Sequence, residues 1–289
     1  MTARPTLFRS VLYLPASNPR AIEKARGLNA DAVILDLEDA VAPDAKSEAR
    51  QAAVAALTAG GFGSRVGVRI NGLDTPWGAE DLAALTGLNP VFVVAPKIES
   101  AEAVRAVAAR LPDGAALWIM VETPLTVLRL DQIAGAGAPL AALMLGINDL
   151  GERMNLVLGP DRDPIKPWLA AVVAAARGYG LLAIDGVVNA TDDADRLNAE
   201  CRQGRAFGFD GKSLIHPAQI DAANTAFSPS PEEVAKALDV VAAFAAADAE
   251  GKGAIRVGYR MVERLHLDAA HRLLARHAAA STPPQDTPI

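Results

Sequence analysis

Cysteine, strongly basic runs and long apolar runs are all scarce or missing in this chain of 289 residues. The single cysteine, Cys201, excludes an intramolecular disulfide and suits a reducing cytoplasm. The four histidines lie at positions 216, 266, 271 and 277, without the spacing typical of a zinc site. The formal net charge is −6 and no basic block offsets it, so we expect no nucleic-acid partner.

Signals for secretion or membrane insertion are also missing. Residues 1–10 lack the apolar core of a secretory signal peptide. No uncharged apolar run approaches the length of a membrane span. Hydrophobic residues make up 51% of the chain, which is enough for a sizeable core. We therefore expect a cytoplasmic protein that is not bound to a membrane.

Short apolar runs alternate with helical patterns along most of the chain, and such runs are typical of buried parallel strands. The predicted strands occupy residues 11–14, 32–37, 66–70, 91–95, 117–121, 141–146, 181–184 and 207–209. Eight strand–helix units with few long loops favour a (β/α)8 TIM barrel over a doubly wound sheet of two domains. The barrel domain is predicted over residues 1–227. Residues 228–289 begin with a Pro-rich linker and are predicted to form a C-terminal helical extension, or lid.

Two carboxylates follow the fifth and sixth predicted strands. Glu122 comes directly after the fifth strand, and Asp149 lies within four residues of the end of the sixth. Neighbouring parallel strands end at the same edge of a sheet, so the two carboxylates should meet there. A pair of this kind can bind a hard divalent cation. The alternative is that one or both are solvated loop acids.

Further charged residues lie at or near the predicted strand ends, where barrel enzymes build their active sites. The full set is Asp36, Glu38, Arg69, Lys97, Glu122, Asp149, Asp185 and Lys212. An arginine within a buried strand, such as Arg69, requires an anionic partner. The set suits a metal together with an anionic substrate such as an α-keto acid, whose carboxylate Arg69 would neutralise. Such a site can stabilise an enolate.

Motifs for nucleotide binding and for a covalent nucleophile are missing. Gly211-Lys212-Ser213 resembles the end of a P-loop, but Ala206 stands where that motif requires glycine. No Gly-x-Ser-x-Gly elbow occurs. Arg20 and Lys24 share one face of the first predicted helix, either as a solvated basic face or as a phosphate-binding pair. The catalytic groups are therefore predicted to be carboxylates and arginine, with a metal as a further candidate.

Several motifs together resemble one protein family. They are Arg9-Ser10-Val11-Leu12-Tyr13-Leu14-Pro15, Ser17-Asn18-Pro19-Arg20, Leu35-Asp36-Leu37-Glu38-Asp39-Ala40-Val41, Arg69-Ile70-Asn71-Gly72, Pro96-Lys97-Ile98-Glu99-Ser100, Val121-Glu122-Thr123, residues 146–150, residues 208–212 with Ile215-His216-Pro217, and Phe227-Ser228-Pro229-Ser230-Pro231. In their order, and across nearly the whole chain, they resemble the citrate lyase β-subunit-like (CitE-like) proteins of the HpcH/HpaI aldolase superfamily. The resemblance is specific to the family and does not identify one substrate.

The resemblance implies a barrel enzyme that acts with Mg²⁺ on acyl-CoA thioesters and keto acids, commonly as a homotrimer or a hexamer. By position, Glu122 and Asp149 resemble the Mg²⁺ ligands, and Arg69 resembles the residue that binds the substrate carboxylate. Glu38 and Asp39 resemble groups that orient metal-bound water. The residues that resemble coenzyme A contacts are Tyr13, Arg20, Lys24, Ile215 and His216. This favours the phosphate role for the basic pair on the first helix.

Two departures from the family pattern bear on the reaction. Lyases and synthases of the family have a catalytic aspartate in a Met-Ile-Asp-like motif, often supplied across a subunit interface, where this chain has Met261-Val262-Glu263. Glu263 adds one methylene, and a reach error of about 1 Å can cost about 100-fold in rate. Glu263 therefore either acts in an adjusted geometry, serves a different reaction, or is only an exposed acid at a helix start. The second departure is Ile147-Asn148, where small residues are more usual.

The sequence therefore predicts a Mg²⁺-dependent carbon–carbon lyase that acts on a β-hydroxyacyl-CoA such as malyl-CoA or citramalyl-CoA. Glu122 and Asp149 would hold the metal, and Glu263 would move the proton, with the acetyl-CoA enolate as the intermediate. The alternatives within the family are a citrate lyase β subunit, an acyl-CoA thioesterase and a malate-synthase-like enzyme. A non-catalytic acyl-CoA-binding protein is the alternative from another class.

Overall fold

The computed structural model describes residues 6–248, 253–257 and 260–280. Eight strands in sequence order close into a barrel: β1 (Ser10–Pro15), β2 (Ala32–Asp36), β3 (Arg65–Arg69), β4 (Phe92–Ala95), β5 (Ala116–Val121), β6 (Leu140–Leu145), β7 (Leu182–Asp185) and β8 (Gly211–Leu214). Neighbouring strands are all parallel, and β8 returns to β1 with Ser10 opposite Lys212. The predicted TIM barrel is confirmed.

Helices alternate with these strands and continue beyond them. They are α1 (Pro19–Ala25), α2 (Lys46–Ala59), α3 (Gly78–Ala84), α4 (Ala101–Ala108), α5 (Pro124–Leu128), α6 (Leu130–Ala134), α7 (Ile147–Arg153), α8 (Lys166–Gly178), α9 (Ala194–Phe207), α10 (Ile220–Ala226), α11 (Pro231–Asp248) and α12 (Arg264–Ala280). Side-chain caps define several starts: Asn18 accepts the N–H of Ala21, and Ser100 accepts the N–H of Ala103.

Residues of each strand alternate between two apolar layers, because side chains on a strand point to opposite faces in turn. One layer fills the barrel and includes Val11, Ala32, Ile34, Val94, Trp118, Met120, Ala142, Met144 and Ile184. The other layer joins the strands to the helices and includes Val33, Leu35, Val68, Val93, Leu143 and Ala183. Strands that are buried on both faces explain the continuous apolar runs in the sequence.

Three aromatic rings pack together inside the barrel. The rings of Phe92 and Trp118 stack with centroids 3.9 Å apart, and the edge of Phe8 meets Trp118 at 4.8 Å. Gly67 makes this possible, because a Cβ added there would lie 2.2 Å from the Phe92 ring. Phe8 precedes β1 and Phe92 begins β4, so the three rings fill the barrel toward its N-terminal end.

The prediction of an eighth strand at 207–209 is wrong. Helix α9 continues to Phe207, and Gly208 ends it with a φ of 101°. This left-handed conformation is typical of the residue that ends a helix, and glycine adopts it without steric cost. The strand therefore begins three residues later, at Gly211.

The contacts group the described chain into two compact units that meet in sequence at Phe227 and Ser228. In the C-terminal unit, α11 packs against α12, and β9 (Ala254–Val257) pairs with β10 (Arg260–Glu263) as an antiparallel hairpin. The sequence did not predict this hairpin. That the two units are separate domains stays a prediction. No helix in the described ranges combines the length and the apolar character needed to cross a membrane.

Candidate active site

Strand phase divides the charged residues at the strand ends into two groups. Asp36, Arg69 and Glu122 each lie two residues after an interior-facing residue and continue that face. Asp185 and Lys212 have the opposite phase and meet α9 in the helix layer. We define the rim cluster as Asp36, Glu38, Arg69, Lys97 and Glu122, which are linked by the contacts described below.

Glu122 extends β5 into the barrel mouth and is fully buried. Its Oε1 accepts a hydrogen bond from the backbone N–H of Lys97 at 2.7 Å. Its Oε2 is buried with no hydrogen-bond partner in the part of the chain that the structure describes. Burial, followed by the negative charge of Glu38, raises the pKa of Glu122 to about 7. A buried carboxylate without a counter-cation is costly, so this environment favours a proton or a bound cation.

Arg69 finds its anionic partners within the chain. Its Nε donates to Asp36 Oδ1 at 2.7 Å and its Nη2 donates to Oδ2 at 2.6 Å, a bidentate pair. Its Nη1 lies 3.0 Å from Glu38 Oε2, within ion-pair distance though not aligned as a hydrogen bond. Burial opposes the charge, but Asp36 and its neighbours outweigh burial and raise the pKa of Arg69 well above its ordinary value. The hydrogen bonds to Asp36 use the Nε–H and one N–H of Nη2, so Arg69 carries further N–H groups on its two terminal nitrogens.

Lys97 and Lys46 hold the segment that carries Glu38. The ammonium of Lys97 pairs with Glu38 Oε1 and lies 3.5 Å from Asp39 Oδ1. Lys46, the first residue of α2, donates from Nζ to the carbonyl of Leu37 at 2.8 Å and to that of Glu38 at 2.7 Å. Sequence reasoning missed Lys46, because its position at a helix start gives no sign that it reaches back to the preceding strand.

Tyr13 lies beneath Arg69, with the guanidinium carbon 4.7 Å from the ring centroid. This is a cation–π geometry. The phenol oxygen approaches Met144 Sδ at 2.9 Å and Met120 Sδ at 3.2 Å. Burial raises the pKa of Tyr13 well above its ordinary value, so the phenol stays neutral. Its predicted contact with coenzyme A stays a prediction.

A cavity of about 230 Å³ opens at the barrel mouth, with Arg69, Asp149 and Ile215 among its lining residues. Asp149 lies in the first turn of α7, and its charge contributes to the raised pKa of Glu122. Gly146 is required between them, because a Cβ there would lie 2.8 Å from Glu122 Oε2. The cavity is large enough for a small organic acid, and its lining includes Asp149, Arg69 and Gly146, the residue that packs against Glu122.

Side-chain amides connect the loops around this mouth. Asn148 and Asn189 donate to each other, at 3.2 Å and 2.8 Å, and join the start of α7 to the loop after β7. Gln219 donates to the carbonyl of Val188 and accepts the N–H of Ile215. The departure from small residues before Asp149 therefore has a structural consequence, because it creates the first of these links.

The remaining predicted site residues lie in three different places. Arg20 and Lys24 are exposed on α1. His216 is exposed and accepts the N–H of Ala218 through Nδ1. Glu263 ends β10 in the C-terminal unit, exposed, with its backbone N–H donating to His266 Nδ1 at 3.0 Å. The roles of all four stay predictions.

Asp185 and Lys212 take no part in the rim cluster. They form a buried quartet with Arg162 and Glu200: Lys212 Nζ lies 3.0 Å from Asp185 Oδ2, and Arg162 Nη1 lies 2.9 Å from Asp185 Oδ1. Glu200 Oε2 lies 3.5 Å from Lys212 and 3.6 Å from Arg162. The quartet contains two carboxylates and two cations, so its own formal charge is balanced, and Arg196 adds a further cation 3.0 Å from Glu200 Oε1. The positive partners lower the pKa of Asp185 although burial opposes them.

The mouth fits a divalent cation on the evidence of its donor atoms. It gathers five carboxylates, those of Asp36, Glu38, Asp39, Glu122 and Asp149, against the three cations of Arg69, Lys97 and Lys46. Among the described residues, no three His, Cys, Asp or Glu side chains are arranged as a complete metal site. Mg²⁺ commonly takes only one or two carboxylates and completes its shell with water and substrate. The unpartnered Oε2 of Glu122 and the carboxylate of Asp149 suit that pattern.

Comparison with known proteins places the chain in a family. The family model described as HpcH/HpaI aldolase/citrate lyase matches residues 9–217. The chain belongs to this family. The resemblance inferred from the sequence motifs is thus confirmed, and the family is one of enzymes.

Relatives within the HpcH/HpaI family carry more than one activity in their names. A (3S)-malyl-CoA thioesterase of Cereibacter sphaeroides is 46% identical over 94% of this chain and 95% of its own length. An L-malyl-CoA/beta-methylmalyl-CoA lyase of the same species is 33% identical over 90% of this chain and 91% of its own. The solved structure of CitE from Mycobacterium tuberculosis with magnesium, acetoacetate and coenzyme A has a TM-score of 0.79 at 33% identity, covering 94% of this chain and 98% of that one.

Proposed function

We propose that this protein is a Mg²⁺-dependent enzyme that hydrolyses the thioester of malyl-CoA or a closely similar hydroxyacyl-CoA. The observation that carries the proposal is Glu122 Oε2, a buried carboxylate oxygen without a partner in the described chain, beside Asp149 and a cavity the size of a small acid. Bound Mg²⁺ would polarise the substrate oxygens that it coordinates. Glu122 and Asp149 would hold it.

Hydrolysis requires water to add to the thioester carbonyl, the C–S bond to break, and the sulfur to receive a proton. The N–H groups that Arg69 has left over would hold the carboxylate at the far end of the acyl group. Glu38 and Asp39 would orient the water, and Glu263 would move the proton. The predicted coenzyme A contacts, which are Tyr13, Arg20, Lys24, Ile215 and His216, belong to the same proposal, as does assembly into a homotrimer.

The choice of hydrolysis over carbon–carbon cleavage has two supports. The named thioesterase is 46% identical to this chain, whereas the named lyase is 33% identical. In addition, Glu263 stands where lyases and synthases of the family have aspartate. The lyase activity predicted from the sequence remains the second candidate, because a named lyase also covers 90% of this chain.

The two reactions release different products from (3S)-malyl-CoA. Hydrolysis releases malate and the free thiol of coenzyme A, whereas cleavage releases glyoxylate and acetyl-CoA. We expect the full-length protein with Mg²⁺ to release thiol, detected with a thiol reagent, and no glyoxylate, detected as its phenylhydrazone. Stoichiometric glyoxylate would instead establish the lyase.

Three variants connect this activity to the site. Glu122→Gln should lower kcat/KM at least about 100-fold, because the metal loses a charged ligand. Glu263→Gln should lower kcat by roughly 100-fold, the value of a general acid or base, and leave Mg²⁺ affinity unchanged. Glu102→Gln alters an exposed acid on α4 and serves as the matched control. Full activity in Glu122→Gln would contradict the proposed function.

A further inference from the structure

Lys97 has a backbone conformation that its side chain does not favour. Its φ is 52°, in the left-handed region, where residues other than glycine, asparagine and aspartate are uncommon. Such a conformation is strained and persists only when the surrounding contacts hold it. It directs the Lys97 N–H to Glu122 Oε1 at 2.7 Å. The contact occupies one oxygen of Glu122 and leaves the other for a different partner.

The side chain of the same lysine binds a second carboxylate. Its ammonium pairs with Glu38 Oε1, while Arg69 Nη1 lies 3.0 Å from Glu38 Oε2. Glu38 is buried and thus faces one cation at each oxygen. It is also close enough to Glu122 for its charge to act on that carboxylate. A carboxylate neutralised at both oxygens attracts a further cation much less than one that is not.

Lys97 therefore contacts both glutamates, Glu122 through its backbone N–H and Glu38 through its ammonium. We propose that Lys97 is a positioning residue that gives the two glutamates different roles. Its N–H directs Glu122 toward the divalent cation, and its ammonium keeps Glu38 from coordinating that cation. The coordination position that Glu38 does not occupy is then available to substrate or water. This inference rests on the metal site of the proposed function.

The test uses Mn²⁺ as a paramagnetic probe on the full-length protein, without substrate. Wild type should bind Mn²⁺ in competition with Mg²⁺, and Glu122→Gln should bind it at least tenfold more weakly. Failure at this stage would remove the metal site and with it the proposed function. If Glu122→Gln weakens binding as expected, the wild-type Mn²⁺ affinity becomes the reference for the lysine variants.

Lys97→Met removes the ammonium and keeps a side chain of similar length. We expect it to bind Mn²⁺ roughly tenfold more tightly, because Glu38 becomes a ligand, and to lose at least one coordinated water, measured by water-proton relaxation. Adding Glu38→Gln to Lys97→Met should reverse both changes. Lys97→Arg, which keeps the charge, should stay close to wild type.

A merely structural role for Lys97 predicts the opposite change in Mn²⁺ affinity. If Lys97 only supported the fold, its loss would weaken Mn²⁺ binding. Weaker binding, or an unchanged number of coordinated waters, in Lys97→Met would overturn the inference while leaving the metal site intact. Lys97→Gly provides a second variant, since glycine adopts a φ of 52° without strain and also lacks the ammonium. It should reproduce the tighter binding.

Discussion

The barrel mouth and the buried quartet each bring carboxylates and cations together, yet they differ in charge balance. In the quartet, two carboxylates face two cations, and Asp185 and Lys212 are each completely buried. In the mouth, five carboxylates share the three cations of Arg69, Lys97 and Lys46, and one oxygen of Glu122 has no partner in the described chain. The quartet neutralises its carboxylates with cations of the same chain, whereas the excess of carboxylates at the mouth suits a cation from outside the chain.

The largest expected effect comes from breaking the balance of the quartet. Asp185→Asn leaves Arg162 and Lys212 buried with only Glu200 between them. Removing one partner of a buried ion pair typically costs about 3–5 kcal/mol. We expect a loss of that size in the free energy of unfolding measured with urea, and little change in Mg²⁺ affinity.

The exposed pair of Glu102 and Arg105 is the matched control for that measurement. Its oxygen and nitrogen lie 2.7 Å apart, but both side chains are more than half exposed. Glu102→Gln should therefore change stability by less than about 0.5 kcal/mol. Equal losses of stability in the two variants would show that the buried quartet stabilises the protein no more than an exposed ion pair does.

A smaller effect should appear in the pH dependence of the rim cluster. The pKa of Glu122 is raised to about 7 from an ordinary value of 4.5, so the folded state holds its proton more tightly than the unfolded state. The resulting stabilisation is complete below the unfolded pKa and is lost as pH rises through the folded one. In EDTA, the unfolding free energy should fall between about pH 5 and pH 8, with a contribution from this group on the order of 2 kcal/mol.

Glu122→Gln cannot release that proton, so its stability should vary less over the same range. Mg²⁺ should reduce the loss in wild type, because a cation replaces the proton, and should have no such effect in the variant. Parallel stability curves for the two proteins in EDTA would show that burial of Glu122 is compensated in another way.

The smallest effect is expected at a pair of side-chain amides that connects a segment of one region to a segment of the other. The amide pair of Asn148 and Asn189 joins the residue before Asp149 to the loop that follows Asp185. The pair is exposed, so Asn189→Ala should change stability by less than about 1 kcal/mol. We expect KM for the acyl-CoA to rise roughly threefold, as one hydrogen bond of about 0.5–1 kcal/mol no longer holds α7 in place. An unchanged KM would show that the amide pair does not affect substrate binding at the mouth.

Strand phase explains both the success and the main error of the sequence predictions. The apolar runs located seven of the eight parallel strands, and charged residues near the strand ends indicated one edge. Ile184 faces the barrel interior, so Asp185, one residue later, faces the helices. The same alternation was available in the sequence, and applying it separates Asp185 and Lys212 from Arg69 and Glu122.

Other features could not be predicted from residue order. The left-handed backbone of Lys97 depends on its contact with Glu122, which is 25 residues away. Lys46 reaches the carbonyls of Leu37 and Glu38, just after β2, through a contact that the residue order does not indicate. Glu263 was singled out by comparison with a family motif, and residue patterns alone give no indication of its role.

The packed rings of Phe8, Phe92 and Trp118 determine how a ligand can enter and leave the barrel. Since they fill the interior toward its N-terminal end, the mouth that admits a ligand is also its exit. Under the proposed function the coenzyme A fragment would lie nearer the opening, and we expect the small acid to leave only after that fragment has left. Competition experiments with each product would read that order directly.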